Sequence, residues 1–216
     1  MARIAVKTSL HACNNPKVTD AAAPARPIAF AVWLIFAGVV GWWAAFSLTV
    51  EKLHGLANPG TAASCDFSIL VQCTRNLDSW QGALLGFPNP ILGLTGWMAP
   101  VVVGAALLAG ARFNRWFWIA FNVGVALAMA LVLFLIVSSI YLLGTLCPWC
   151  MVTWSVTIPT FLVVTFNNLR NGTIPVPPRV AAAANAAYGW TAVISFGLYL
   201  VVAVLAQLQL DVINRI

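Results

Sequence analysis

At 216 residues the chain has room for one small domain, yet 62% of it is hydrophobic and only 7% charged, against roughly 25% charged in a soluble domain. A soluble core of this size cannot hide so much apolar surface, so a bilayer must take it up. The formal charge of +6 does not point to nucleic acid: the basic residues form no stripe and sit in short segments between apolar runs, where charge sets membrane orientation instead.

Residues 1–26 are polar, and the apolar run after Arg26 is too long for a secretory signal core. They are expected to form a flexible cytoplasmic tail. Beyond them, Asp, Glu, Lys and Arg are absent from 27–50, 79–111, 116–169 and 180–210. A span takes about 20 residues, so the first, second and fourth stretches hold one helix each. The third would be about 80 Å long as a single helix and must turn back. Gly144 and Pro148 mark that turn, glycine loosening one helix end and proline suiting the first turn of the next. Gly86, Pro88 and Pro90 delay the second span until near Asn89. The expected fold is an all-α integral membrane protein, its membrane domain at about 27–210 with spans at about 28–50, 90–110, 116–143, 147–167 and 187–208, and a loop at about 51–88.

Five spans put the tail and the segments 111–115 and 168–186 on one side. That side carries eight basic residues against Asp20, a balance of +7. The other side carries Lys52, Arg75 and Arg215 against Glu51, Asp66, Asp78 and Asp211, a balance of −1. The positive side is expected to be cytoplasmic, which leaves 51–88, the 144–147 turn and the C-terminus outside.

Of the five cysteines, Cys13 lies alone on the tail and reads as an inert reduced thiol. The other four fall on the outer face, where disulfides persist. Cys147–Pro148–Trp149–Cys150 is a Cys-x-x-Cys motif opening a helix, where unsatisfied N–H groups favour a thiolate. A static bridge so short would constrain almost no loop, so the motif suits redox exchange better than stapling. Cys65 and Cys73 form a wider pair in a polar loop, equally readable as a structural staple or a redox couple. A four-cysteine zinc site would call for two close-spaced knuckles, and the wide pair does not supply one. Taken together, an exposed pair on a swinging loop and a fixed pair at a helix start form a relay for thiol–disulfide exchange. Its membrane end needs an electron sink that lives in lipid, for which a quinone is the natural choice.

Several residues accompany the cysteines at fixed intervals. Ser79 follows Cys73 by six positions, and Phe87–Pro88–Asn89–Pro90–Ile91–Leu92–Gly93 opens the second span. With the loop pair and Cys147-x-x-Cys150, this ordered set resembles the vitamin K epoxide reductase family in its bacterial form, from about Phe30 to Phe166. The resemblance implies a four-helix transmembrane bundle around a quinone (menaquinone or ubiquinone), capped by an extracytoplasmic cysteine-bearing loop, with a fifth transmembrane helix alongside. It further implies a bacterial inner-membrane oxidoreductase that takes electrons from an extracytoplasmic DsbA- or thioredoxin-like protein. By position, Cys65 matches the cysteine that meets the partner, Cys73 the one that attacks the membrane pair, Cys147 its target, and Cys150 the one facing the quinone. Asn89 matches an asparagine whose amide bonds a quinone carbonyl, and Ser79 a residue that shapes the loop or the quinone end. Trp154 stands where animal members carry tyrosine, so a hydroxyl is replaced by an indole N–H. Many bacterial members carry a fused thioredoxin-like domain; here the chain ends at Ile216, and the partner is expected in trans.

Plain structural readings compete at several positions. Asn89 between two prolines also suits a helix cap. Trp42, Trp43, Trp97, Trp116, Trp118, Trp149 and Trp190 fit an interfacial aromatic belt. Trp154 and Phe46 are candidates for the quinone-pocket wall. Asp66 and Arg75 read as solvated loop charges. Two other activities compete with quinone-linked disulfide formation: reduction of a quinone epoxide by the same cysteines, and a non-catalytic membrane scaffold with two structural disulfides. The spans lack ionisable residues, against a proton- or ion-coupled path.

Overall fold

The computed structural model describes residues 28–215. The tail expected at 1–26, Cys13 included, lies outside the described residues. Five helices are long and apolar enough to cross a membrane, and no strand forms among the described residues. The chain is an all-α multi-pass membrane protein.

The elements are α1 (Ile28–Ala57), α2 (Thr74–Asp78), a 3-10 turn (Trp80–Ala83), α3 (Asn89–Gly96), α4 (Met98–Leu108), α5 (Arg115–Val137), a π-helical segment (Ser138–Leu143), α6 (Pro148–Arg170), α7 (Pro178–Gly189), α8 (Thr191–Leu210) and α9 (Val212–Arg215). Several bounds differ from the sequence expectation. α1 runs two turns past Val50, so the loop begins on a helical stem. The second span is broken at Trp97, where Pro100 cannot donate to the carbonyl of Gly96. α5 passes into the π-helical segment, which Gly144 ends at φ 66°. The segment before the last span is a helix of its own, α7. Its alanines favour helix, Pro178 opens it, and Gly189 closes it.

α1 packs on α3, α4 and α6, and α6 also packs on α5, α7 and α8. Small residues let α1 approach its neighbours closely. A Cβ on Gly104 of α4 would stand 2.6 Å from the carbonyl oxygen of Ala31, and one on Gly41 would meet the Trp97 ring. Trp97 therefore packs inside the bundle and does not belong to an aromatic belt. Trp43, Trp116 and Trp190 are exposed, as belt residues would be.

Several polar groups inside the bundle are paired across helices, as a lipid surround favours. Pro159 leaves the carbonyl of Ser155 without its helical donor, and the Tyr199 hydroxyl on α8 donates to that oxygen. At the end opposite the cysteines, Asn168 donates to Asn122 Oδ1 at 3.1 Å and to the Trp118 carbonyl at 3.2 Å. There too, Arg115 Nε donates to the Thr173 carbonyl at 2.7 Å, tying together the two short connections at that end.

The α1–α4 contact yields a test. Gly104→Ala should lower the thermal unfolding midpoint in detergent, at a cost of about 1–3 kcal/mol from overpacking against backbone. Gly124→Ala has nothing within 4 Å of the added carbon and should be neutral or raise the midpoint, since alanine suits a helix better by about 0.5–1 kcal/mol. Equal midpoints for the two variants would contradict the close approach.

Candidate functional site

The loop after α1 is docked on the bundle and does not swing free. Residues Val71 and Leu146 form an isolated parallel bridge. Leu146 N donates to the Leu70 carbonyl at 2.7 Å, and Gln72 N to the Leu146 carbonyl at 3.0 Å. Asn76 on α2 donates from Nδ2 to Thr145 Oγ1 at 2.9 Å and accepts from Ser139 Oγ at 2.9 Å. The stem of α1 holds the other side. Glu51 accepts from Ser64 N at 3.0 Å and from its hydroxyl, and Lys52 pairs with Asp78 at 2.8 Å.

This docking sets the sulfurs. Cys65 and Cys73 form a disulfide with their Cα atoms 5.8 Å apart. Cys147 and Cys150 are free thiols, and Cys147 Sγ lies 3.5 Å from Cys73 Sγ. The loop pair, expected to be exposed, is instead buried, with Cys65 4% and Cys73 0% accessible. The cause is a small apolar cluster in which Leu48 and Leu77 close over Cys65, Cys73 and Cys147. A thiol at this distance from a disulfide sulfur is placed for exchange, which needs an attacking thiolate with access to that sulfur.

Cys147 is the N-cap of α6, just before its membrane span, and its Sγ accepts from Cys150 N at 3.4 Å. Its thiol is held below the ordinary range, first by the Cys150 thiol and then by the backbone N–H groups of Cys150 and Trp149, against the opposing effect of burial. The helix N-terminus thus stabilises a thiolate.

Asp66, read from sequence as a solvated charge, organises the loop. Its carboxylate accepts from Cys73 N at 2.6 Å, Thr74 N at 3.1 Å and Thr74 Oγ1 at 2.6 Å. Burial works against its charge, but these hydrogen bonds outweigh that effect and hold the carboxyl below its ordinary value. An acidic residue offering oxygens to the first N–H groups of a downstream helix is a capping signal, and Asp66 with Thr74 could have been read that way. Cys65, Asp66 and Cys73 bring one ligand atom each within 4.8 Å, but the disulfide occupies both sulfurs.

Beneath the cysteines, a cavity of about 700 Å³ lies between α3–α4 on one side and α5 and α6 on the other. Cys150, Asn76, Ser79, Gln81, Asn89, Ser138 and Ser139 line it toward the loop, while Ala120, Gly124 and Ala128 line it toward the opposite end. Asn89 does not cap its own helix. Its Oδ1 accepts from Leu84 N at 3.1 Å and its Nδ2 donates to the Gln81 carbonyl at 2.7 Å, pinning the 3-10 turn. Ser79 donates to the Asn76 carbonyl at 2.7 Å and accepts from Gly82 N at 3.2 Å. Trp154 is buried on the cavity wall. Phe46 is not on that wall; it is 41% exposed and stacks on Trp42.

The carboxylate of Asp66 gives a pH test. A group with a depressed folded-state pKa contributes stability above its unfolded value and loses it as pH falls through the folded one. Amide-exchange protection at Cys73 and Thr74 should therefore persist from neutral pH into the ordinary carboxylate range and disappear only below it. In Asp66→Ala the protection at neutral pH should drop roughly five- to tenfold, the scale of a lost cap. Unchanged protection in that variant would remove Asp66 from the loop's support.

Beyond this geometry, the Vitamin K epoxide reductase family model matches residues 32–165. No curated protein matches the chain. The matched region takes in Cys65, Cys73, Cys147 and Cys150, the docked loop, the cavity and the helices α3 to α5 that border it. With five apolar helices, a loop disulfide and a neighbouring thiol pair, the chain belongs to the vitamin K epoxide reductase family of oxidoreductases.

Proposed function

We propose that this oxidoreductase passes electrons from an extracytoplasmic thioredoxin-like dithiol through Cys65–Cys73 and Cys147–Cys150 to a membrane quinone, and so forms disulfide bonds in other proteins. The observation that carries this reading is the 3.5 Å separation of Cys73 Sγ and Cys147 Sγ, one sulfur from each pair. Two structural disulfides in a scaffold would have no need of that approach.

The exchange steps balance as follows. A partner thiolate attacks Cys65, the Cys65–Cys73 bond breaks, and Cys73 leaves as a thiolate. The partner's second thiol then displaces Cys65 and leaves with the partner's new disulfide. Cys73 attacks Cys147 of an oxidised membrane pair, and Cys150 leaves as a thiolate. Cys65 displaces Cys147 from Cys73, restoring the loop disulfide. The state described above, with the loop pair bonded and the membrane pair reduced, is the one reached at this point. Because Cys65 is buried, the partner's attack requires that corner of the loop to lift.

A quinone supplies a sink for two electrons and two protons. The cavity suits one: its polar end adjoins Cys150, and the rest is apolar enough for an isoprenoid tail. In this reading Asn89, Ser79 and Trp154 border the headgroup, with Asn89 keeping one amide hydrogen for a carbonyl. The −1 and +7 charge balance supports a cytoplasmic N-terminus and an extracytoplasmic cysteine loop.

The relay predicts a trapped intermediate. Cys65→Ala with Cys150→Ala removes both thiols that would resolve a Cys73–Cys147 bond. Mild oxidation should accumulate that disulfide, detectable as a linked peptide pair by mass spectrometry of an unreduced digest. Two free thiols, under oxidation that bridges the wild-type pairs, would move the scaffold reading ahead. The sidedness has its own check in intact cells, with the native cysteines replaced. An impermeant thiol reagent should label a cysteine at Asn58 and not one at Asn171; the reverse pattern would invert the topology.

A further inference from the structure

The cavity's polar end holds three side-chain amides, and they differ in what is left for a ligand. Asn76 is engaged at both heteroatoms by Thr145 and Ser139. Asn89 has both heteroatoms engaged in holding the 3-10 turn. Gln81, on that turn, is 5% accessible and lines the cavity, yet its Oε1 is buried with no hydrogen-bond partner among the described residues. An amide so placed is disfavoured until something bonds it. The turn itself fixes where it stands, through the hydrogen bond from Asn89 to the main-chain carbonyl of Gln81.

We infer that Gln81 is a further side chain that recognises the quinone headgroup, beside Asn89, which also positions it. The inference rests on the quinone reading above. An amide offers a donor to a quinone carbonyl and, turned over, an acceptor to a hydroquinone hydroxyl. Gln81 can therefore follow the headgroup through its reduction, where Asn89, with one remaining hydrogen, can serve only as a donor. Cys150 lines the same cavity, so the headgroup bonded by Gln81 shares that space with the thiol that reduces it.

Gln81→Met keeps the volume and removes the amide. Deleting an unpartnered buried polar group should leave the ligand-free thermal midpoint unchanged or raised. Binding of a soluble short-chain quinone, followed by quenching of tryptophan fluorescence, should weaken about tenfold, the scale of a lost buried hydrogen bond. In turnover with dithiothreitol the same variant should raise KM for that quinone more than it lowers kcat. Gln81→Asn, which keeps an amide on a shorter stem, should recover part of the affinity. Binding to Gln81→Met within twofold of wild type would overturn the assignment while leaving the quinone reading intact. A midpoint that falls in step with the affinity would also overturn it, making Gln81 a structural residue. Failure of the wild-type protein to bind or reduce the quinone would remove both this inference and the reading beneath it.

Discussion

The site depends on a short stretch of backbone pairing at the membrane surface. Leu146, between the π-helical segment and α6, exchanges hydrogen bonds with Leu70 and Gln72 of the loop. That pairing sets Cys73, the next residue in the loop, against Cys147, the next residue in the turn. The two cysteines are 74 positions apart in sequence, so no local preference could bring them together. Asn76, bridging Ser139 and Thr145, and the Asp66 carboxylate, holding the N–H groups of Cys73 and Thr74, fix the orientation that the pairing alone would leave loose. The loop is polar in composition but docks through buried leucines, which explains why its disulfide is covered.

The cavity is the counterpart of close packing elsewhere. Small residues on α1 and α4 draw those helices together, and α6 is held by both α1 and α5. α4 and α5 are left apart, with apolar walls between them and polar side chains at the cysteine end. Breaking the second span at Trp97 serves the same arrangement: Trp97 lies against Gly41 and also lines the cavity. Cys150 reaches this space from the first turn of α6 while Cys147, three residues earlier, faces the loop. One turn of helix thus joins the buried cysteine cluster under the loop to the cavity between α4 and α5.

Much of this was legible in the sequence. Charge-free runs located the spans because a charge is costly in hydrocarbon, and Gly144 with Pro148 marked the turn between α5 and α6. The ordered set of cysteines, Ser79 and Asn89 carried the family. What could not be read was tertiary. α7 (Pro178–Gly189) was left in the connecting segment 168–186 because an alanine-rich helix carries little hydrophobic contrast. Trp97 stands near a span end as an interfacial aromatic would, and only its contact with Gly41 places it inside the bundle. The engagement of both Asn89 heteroatoms, and the lack of a partner for Gln81, depend on the conformation of a 3-10 turn that no spacing rule specifies.

In the proposed relay, electrons leave the protein through the membrane pair and enter a quinone. This transfer is tested most directly by adding a short-chain quinone to the purified, fully reduced protein in detergent, without any partner, and following quinone absorbance and free thiols together. The account predicts two thiols lost for each quinone reduced, with the loss abolished in Cys150→Ala. Quinone that stays oxidised while all four outer thiols remain free would contradict it.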